Sequence, residues 1–471
     1  MIQARSVICP LLAALGLSGC NAAMTARDAA GVAISEQAYR AHVERLASDE
    51  FEGRGPGSEG ERLTVQYLEQ EFLALGLQPV NGGSFRQPVP LVEITALGSQ
   101  SYLDFFAGDR RIALAYGEDM TVSTRVAQPA SWVDESQLVF AGYGIVAPEY
   151  GWDDYAGVDM RGKTAMILLN DPGFASDDPA LFKGRAMTYY GRWTYKLEEA
   201  ARQGAAAAII IHETRAAAYP WEVVRNGRTG PQFHVDASDG TKRLAIEAWV
   251  THDRAGEVLS LGGQDLALLE SSAARRGFSA VPLGLTVSAG VRNAIRHSVS
   301  SNVAAILPGK DRPDEYVVYM AHWDHLGRAP VLTGDSIFNG AQDNATGVAG
   351  ILSIARGFQA MLSAPARSVM FIAFTAEESG LVGSEFYARN PLAPLEKTVA
   401  AINIDSLYPL GRARDLQVIG SGASDLEDRL AAAAAAQDRV LIPDQNPEAG
   451  FFYRSDQASL ARRGVPVLYV R

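Results

Sequence analysis

Three short apolar runs in the C-terminal half of the chain each end in acidic or imidazole side chains, and these endings constrain the fold most. The runs are EYVVYMAHWDH, SVMFIAFTAEES and VAAINIDSL, which end on His322 and Asp324, on Glu377 and Glu378, and on Asp405. Each run has the length and the β-branched and aromatic content of a strand. Between the first two runs, Asp343 precedes a stretch with the apolar spacing of a helix. This alternation predicts an α/β fold with a mostly parallel sheet, whose ligand site lies beyond the carboxyl ends of the strands.

The side chains at these strand ends have the chemistry of ligands for divalent metal ions. A neutral imidazole and carboxylate oxygens suit zinc, which in catalytic sites takes three protein ligands and keeps one position open. Asp343 could bridge two ions through its two oxygens. His322 and Asp405 would then complete the set around one ion, and Glu378 would bind the other. Glu377 would remain free to act as a base toward water.

Asp324 has a supporting role in this scheme. It lies two residues after His322 and could accept the second imidazole N–H, which would fix the tautomer of the ring. A lone His-x-Asp motif or a lone Glu-Glu pair is more often an ion-paired surface feature than a ligand set. Because four such motifs occur together, the sequence favours a metal site.

The motifs AHWDHLG, AQDNATGVAG, FTAEESGLVGS and NIDSL resemble those of the co-catalytic di-zinc aminopeptidases. This family includes bacterial leucyl-type aminopeptidases and, more remotely, glutamate carboxypeptidase, the transferrin receptor and glutaminyl cyclase. The resemblance implies a zinc-exopeptidase fold with a mixed, mostly parallel sheet. It also implies that His322, Asp343 and Asp405 hold one zinc and that Asp343 and Glu378 hold the other. Glu377 would be the general base, and the peptide bond after Asp343 would be cis.

The family pattern also contains a late histidine, preceded by a tyrosine, that binds the second zinc. All seven histidines of this chain lie at or before His325. The resemblance therefore implies either a peptidase domain truncated at its C-terminus, with a weakly held second zinc, or a substitute ligand. His325 and Gln457 are the candidate substitutes.

The N-terminal segment has the features of a targeting signal rather than of a folded element. One positive charge and a short apolar core precede Leu17-Ser18-Gly19-Cys20, which resembles the lipobox of bacterial lipoproteins. The resemblance implies a signal peptide over residues 1–19, a lipid on Cys20 and a linker over residues 20–33. We therefore expect a membrane-anchored protein of the cell envelope, although an ordinary signal peptide with a chance cysteine is the alternative.

The middle of the chain differs in character, because its short strand-like runs do not end in clusters of potential ligands. Its segments DYAGVDMRGKTAMILLNDPG and YYGRWTYKLEEAARQGAAAAIIIHE resemble the protease-associated domain that is inserted in many of these peptidases. We expect this β-rich insertion over residues 130–291. Residues 35–129 and 292–471 would form one discontinuous zinc peptidase domain.

Near the C-terminus, FYRSDQASLARRGVPVLYV resembles the family segment that lines the substrate pocket. By this resemblance, Arg454, Asp456 and Gln457 are candidates for residues of the pocket. The family usually has histidine where this chain has Gln457.

Composition narrows the class of function. The chain has 471 residues, 47% of them hydrophobic and 20% charged, which is typical of a globular protein of two or three domains. Its formal net charge of −12 argues against a nucleic-acid partner, which would require a basic surface. The leading hypothesis is an exopeptidase that releases N-terminal residues from peptides. The alternatives are a related carboxypeptidase or cyclase reaction, and a catalytically inactive binding lipoprotein.

Overall fold

The computed structural model describes residues 31–176, 178–236, 240–328, 334–408, 411–422 and 424–471. The predicted signal peptide, Cys20 and most of the linker predicted over residues 20–33 lie outside these ranges. Within them, no helix combines the length and the apolar character that crossing a bilayer requires.

Strands and helices alternate along most of the chain. The strands are β1 (Gln78–Pro79), β2 (Arg86–Ala96), β3 (Tyr102–Ala107), β4 (Arg110–Ala113), β5 (Met120–Ser123), β6 (Ala130–Phe140), β7 (Val146–Ala147), β8 (Trp152–Asp153), β9 (Thr164–Leu168), β10 (Ala207–His212), β11 (Gln232–Val235), β12 (Ile246–Thr251), β13 (Val281–Leu307), β14 (Arg312–His322), β15 (Arg367–Phe374), β16 (Thr398–Asn403), β17 (Asp415–Val418), β18 (Val440–Pro443) and β19 (Val467–Tyr469). The α-helices are α1 (Glu36–Leu46), α2 (Glu59–Ala74), α3 (Pro172–Ser176), α4 (Trp193–Arg202), α5 (Thr214–Ala217), α6 (Trp221–Arg228), α7 (His252–Leu261), α8 (Leu266–Ala273), α9 (Thr346–Gln359), α10 (Val382–Arg389), α11 (Leu426–Ala435) and α12 (Gln457–Ala461).

The elements form two lobes, which we define as residues 36–96 with 293–471 (the first lobe) and residues 97–292 (the second lobe). In the first lobe, β19, β16, β14 and β15 lie side by side and run parallel. The C-terminal part of β13 continues this sheet as an antiparallel strand beside β15, and β2 pairs with β13. The sheet is thus mixed and mostly parallel, as predicted.

The first-lobe sheet is covered on both faces, and β15 shows why. Its alternate residues Val369, Phe371 and Ala373 pack with residues of α1, α2 and α9, whereas Met370, Ile372 and Phe374 pack on the opposite side with residues of α10 and α12. A strand whose two faces are both buried is apolar throughout, as the central strands of parallel sheets usually are.

The second lobe has its own parallel strands, β6, β9, β10 and β12, with β5 antiparallel at the edge. The N-terminal part of β13 pairs with β6 and β3, so this 27-residue strand belongs to both lobes. The strand β11 also pairs with β2 of the first lobe.

The boundary predicted for the insertion at residue 130 differs from the structure. The prediction places residues 102–123 in the peptidase domain. Instead, β3 pairs with β13 beside β6, and β5 pairs with β12. Side chains of these strands, such as Phe105 and Val122, contribute to the hydrophobic core of the second lobe. The second lobe therefore begins near residue 97.

Candidate metal centre

The polar strand ends meet at one edge of the first-lobe sheet. The strand β14 lies between β15 and β16, and all three run in the same direction. His322 is the last residue of β14, Glu377 follows β15 by three positions, and Asp405 follows β16 by two. All three side chains are buried. The parallel arrangement thus brings together residues that are far apart in the sequence.

A first group of potential ligands surrounds His322. Its Nε2 atom lies 3.1 Å from Oδ1 of Asp343 and 3.5 Å from Oδ1 of Asp405. His322, Glu377 and Asp405 each offer one ligand atom within 4.8 Å of the other two. The predicted set of His322, Asp343 and Asp405 is therefore assembled, and Glu377 lies beside it.

A second group lies next to the first and contains His325. The ligand atoms of His325, Asp343 and Glu378 all lie within 4.8 Å of one another. Nδ1 of His325 is 2.5 Å from Oε1 of Glu378. Of the two candidate substitutes for the late histidine, His325 is thus the one that the structure places with Asp343 and Glu378.

The turn that carries Asp343 is held by its neighbour Asn344. The peptide bond between the two residues is cis, as the resemblance implied. The Asn344 amide donates to the carbonyl of Ile404 at 3.0 Å, and its Oδ1 accepts hydrogen bonds from the backbone N–H groups of Gly347 and Ser406. This side chain ties the Asp343 turn to the start of α9 and to the strand end that carries Asp405.

Asp324 supports the site, but through different atoms from those predicted. We expected its carboxylate to accept the N–H of His322. Instead, Nδ1 of His322 lies 3.1 Å from the backbone carbonyl of Asp324, and the carboxylate is 3.7 Å away. The carboxylate accepts hydrogen bonds from the backbone N–H groups of Glu377 and Glu378. Asp324 thereby holds the backbone of Glu377 and of Glu378, which belong to the first and the second group of ligands respectively.

Burial and mutual charge shift the titration of these groups. Burial alone would lower the pKa of His322, but Glu377, Asp343 and Asp405 outweigh it and raise the pKa well above its usual range. Burial raises the pKa of Glu377 well above that of an ordinary glutamate and the pKa of Asp324 to about 7. For Asp405, burial is outweighed by the hydrogen bond and charge of His322, so its pKa falls to about 2.

The residues present fit zinc. Oδ1 of Asp343 is buried and makes no hydrogen bond of good geometry, although the imidazole of His322 is close. A buried carboxylate oxygen that lacks a hydrogen bond, among converging imidazole and carboxylate groups, is an arrangement that a cation completes. The donor set of nitrogen and oxygen atoms suits zinc.

The three candidate pocket residues contact other parts of the protein. Asp456 and Gln457 are fully buried, and the Gln457 amide is bonded to Asn403 and to the carbonyl of Phe452. Arg454 is half-buried and donates to the carbonyl of Ala217 in the second lobe. A role for these residues in a substrate pocket stays a prediction.

Arg54 lies beside the site, and no role for it is predicted from the sequence. It is buried, and its guanidinium donates to the carbonyls of Trp323, Asn339 and Gly340, which lie close to His322 and Asp343. The stretch GRGPGSEGE, with glycines and a proline before Ser58, predicts only a loop followed by a helix. No local pattern could identify Arg54, because its partners are backbone atoms of distant segments.

Residues 302–471 match the sequence profile of Peptidase family M28. We refer to residues 302–471, the part of the chain that this match covers, as the M28 region. It contains every ligand of the two groups described above, so the family match and the geometry concern the same part of the chain.

Curated relatives resemble a limited stretch of the protein. A stretch of 129 residues, 26% of this chain, is 37% identical to aminopeptidase NAALADL1 of Mus musculus and covers 16% of that protein. A stretch of 106 residues, 22% of this chain, is 35% identical to a probable zinc metalloprotease of Pyrenophora teres f. teres (strain 0-1) and covers 22% of it. The matches therefore span less than a quarter of the length of either relative.

A solved structure resembles nearly the whole chain. The aminopeptidase from Aneurinibacillus sp. strain AM-1 aligns with a TM-score of 0.55 over 94% of this chain and 86% of its own, at 22% sequence identity. The M28 region and the second lobe thus share the fold of that protein.

Proposed function

We propose that this protein is a zinc-dependent aminopeptidase that acts on peptides. The observation that carries the proposal is the convergence of two groups of zinc-type ligands, with Glu377 among them, at one edge of the sheet in the M28 region. The names of the relatives, an aminopeptidase and a probable zinc metalloprotease, support this reaction.

The chain offers donors for two zinc ions. His322, Asp343 and Asp405 would hold one, because an oxygen atom of each carboxylate lies within 3.5 Å of Nε2 of His322. Asp343, Glu378 and His325 would hold the other, with His325 in place of the late histidine of the family. Each ion would then have three protein ligands and an open position, as catalytic zinc sites do.

Glu377 is the residue best placed to move a proton. Its carboxylate is buried beside His322 and Asp405, and its backbone N–H is fixed by Asp324. Burial raises the pKa of Glu377 above that of an ordinary glutamate, which suits a carboxylate that accepts a proton from water and releases it to the leaving amine. Zinc, when bound, would supply the Lewis acidity that polarises a peptide carbonyl and lowers the pKa of water to about 7.

The location and the second lobe belong to the same proposal. The lipobox-like motif supports a lipid on Cys20 and a cell-envelope location. The resemblance of the middle segment to a protease-associated domain supports a role of the second lobe in substrate selection. Its contact with the M28 region through Arg454 and Ala217 agrees with that role.

Hydrolysis of a panel of aminoacyl anilides by the purified full chain tests the proposal. We expect turnover of substrates with a free N-terminus, loss of turnover on treatment with a chelator, and a fall of about 100-fold or more in kcat for Glu377→Gln. The exposed Glu396 provides a matched control, and Glu396→Gln should retain the activity.

Two outcomes would contradict the aminopeptidase assignment. Cleavage confined to N-blocked peptides, or release of C-terminal residues, would indicate a carboxypeptidase or another amide reaction. Absence of both turnover and bound zinc under zinc-replete conditions would favour a binding protein.

A further inference from the structure

Arg54 is among the largest fully buried side chains of the described residues, and it lies next to the candidate metal centre. We infer that Arg54 is a positioning residue, which holds the loop before Asp343 against the strand end of His322 and so sets the distance between the ligands that the two segments carry. The inference rests on the proposed zinc site and concerns a residue outside the family motifs that form it.

The hydrogen bonds of Arg54 reach three separate segments. Its Nε donates to the carbonyl of Trp323 at 2.8 Å, directly after His322. Its Nη1 and Nη2 donate to the carbonyls of Asn339 and Gly340, both at 2.7 Å, a few residues before Asp343. A further bond from Nη1 to the carbonyl of residue 46, at 2.6 Å, anchors the side chain to the end of α1.

The backbone around Arg54 contacts the same region. The carbonyl of Arg54 lies 3.4 Å from the N–H of His325, and the carbonyl of Gly53 accepts a hydrogen bond from Gly327. Arg54 itself has a φ of 52°, which is uncommon for a residue with a side chain. Such a conformation persists where the surrounding contacts determine it.

Gly340 shows how closely the segments approach. A Cβ atom at this position would lie 2.6 Å from Nη2 of Arg54, 2.6 Å from Cγ of His325 and 2.5 Å from the carbonyl oxygen of Asp343. Its φ of 58° also favours glycine. The guanidinium, the imidazole and the Asp343 turn therefore share one point of contact.

The charge of Arg54 complements the acidic centre. Burial lowers its pKa to about 10, but Asp324, Asp343 and Glu378 favour the charged form. The side chain is therefore a cation at neutral pH. Its hydrogen bonds to the described residues end on carbonyl oxygens, which leaves the carboxylates free for other ligands.

Arginine is suited to this task and lysine is not. A guanidinium offers five donors in a rigid planar fork, whereas an ammonium offers three donors from a single atom. Lysine at position 54 would keep the charge but could not reach Trp323 and the loop at 339–340 together. Arg54→Lys thus separates the geometry from the charge.

The experiment measures zinc binding by the full chain with a chromophoric competitor, and the absorption spectrum of the cobalt(II) form. We expect Arg54→Lys to weaken zinc binding by about 10–100-fold and to alter the cobalt spectrum. Gly340→Ala, whose Cβ would meet Nη2 of Arg54 as well as His325 and the Asp343 carbonyl, disturbs the same point of contact and should change both in the same direction. Arg45→Lys is the matched control, because Arg45 is exposed and pairs with Glu50.

The outcomes separate a positioning role from a purely structural one. Zinc affinity within about twofold of the wild type and an unchanged cobalt spectrum in Arg54→Lys would overturn the inference, even if the variant unfolds at a lower temperature. Failure of both variants to fold without metal would also overturn it, because the role would then not be specific to the site. A wild-type chain that binds no zinc would refute the proposed function itself.

Discussion

His325 and Glu378 are 53 positions apart in the sequence, yet Nδ1 of the first lies 2.5 Å from Oε1 of the second. His322 and His325 thus face different groups of ligands, although only two residues separate them. The end of β14 and the short segment after it therefore each supply an imidazole to one of the two proposed zinc ions.

Replacement of His325 should remove one of these zinc ions. In His325→Ala, the second site keeps only the carboxylates of Asp343 and Glu378, so we expect its zinc affinity to fall by roughly tenfold or more and the first site to remain. Metal analysis after dialysis and competition titration would measure both sites. The exposed His297, which pairs with Asp236, provides the control His297→Ala. Two equally tight sites in His325→Ala would contradict the assignment.

Zinc binding should release protons. In the metal-free protein the raised pKa of His322 keeps the imidazole protonated at neutral pH, whereas zinc requires the neutral form. Affinity should therefore weaken as the pH falls from 8 to 6, since the proton then competes more strongly. Calorimetric titration in two buffers of different ionisation enthalpy measures the number of protons released. A binding enthalpy that does not depend on the buffer would refute this expectation.

Asp456 should make the stability of the metal-free protein depend on pH. Burial raises its pKa to about 7, although the charge of His322 opposes this shift. The folded chain then binds a proton that the unfolded chain loses above pH 4, so the free energy of unfolding falls as the pH rises toward 7. Asp456→Asn should remove this fall. Between pH 4 and pH 8, the free energy of unfolding of the variant should therefore rise by on the order of a few kcal/mol relative to that of the wild type. Urea unfolding at the two pH values tests the difference, and parallel curves for both proteins would contradict it.

Lys196 stabilises the second lobe through a buried network. Its Nζ donates to the carbonyl of Asn170 at 2.8 Å, and Asp171 and Asp154 favour its charged form, although burial lowers its pKa to about 7. Lys196→Met would leave two buried acids without a cation, so we expect a loss of about 3–5 kcal/mol in the free energy of unfolding. Urea unfolding measures the loss, and Lys183→Met at an exposed position is the control. Equal free energies of unfolding for the two variants would show that the network does not stabilise the second lobe.

Arg454 should stabilise the contact between the two lobes. Its guanidinium donates to the carbonyl of Ala217 at 3.0 Å and lies over the rings of Tyr219 and Phe451. Arg454→Ala should cost about 1–3 kcal/mol and increase cleavage by an added protease between the lobes. The exposed Arg463 is a suitable control in Arg463→Ala. A fall in substrate affinity with unchanged stability would instead support the predicted pocket role.

The convergence of the strand-end residues could be predicted because strand ends are encoded locally. An apolar run followed by a polar residue is visible in one dimension, and parallel strands bring such ends to the same edge. His322, Glu377 and Asp405 are therefore expected at one edge of the sheet, whereas Asp343 is marked by its place before a helix. The choice between His325 and Gln457 depends on which side chain faces Glu378, and only the structure contains that information.

Features that depend on distant backbone contacts were not predicted. The carboxylate of Asp324 binds the N–H groups after β15 rather than the imidazole two residues away. Arg54 binds carbonyls of segments more than 250 positions away in the chain. The strands at 102–123 join the second lobe through pairing with β12 and β13, for which the sequence shows no local signal.

The strand β13 passes without interruption from one lobe into the other, and each half is hydrogen-bonded to strands of its own lobe. A ribbon that is paired along its length resists bending in the plane of the sheet, so hinge closure of the two halves around a peptide would have to break these ladders. The two lobes are therefore joined by hydrogen-bonded sheet rather than by a flexible linker, which restricts their relative motion at β13.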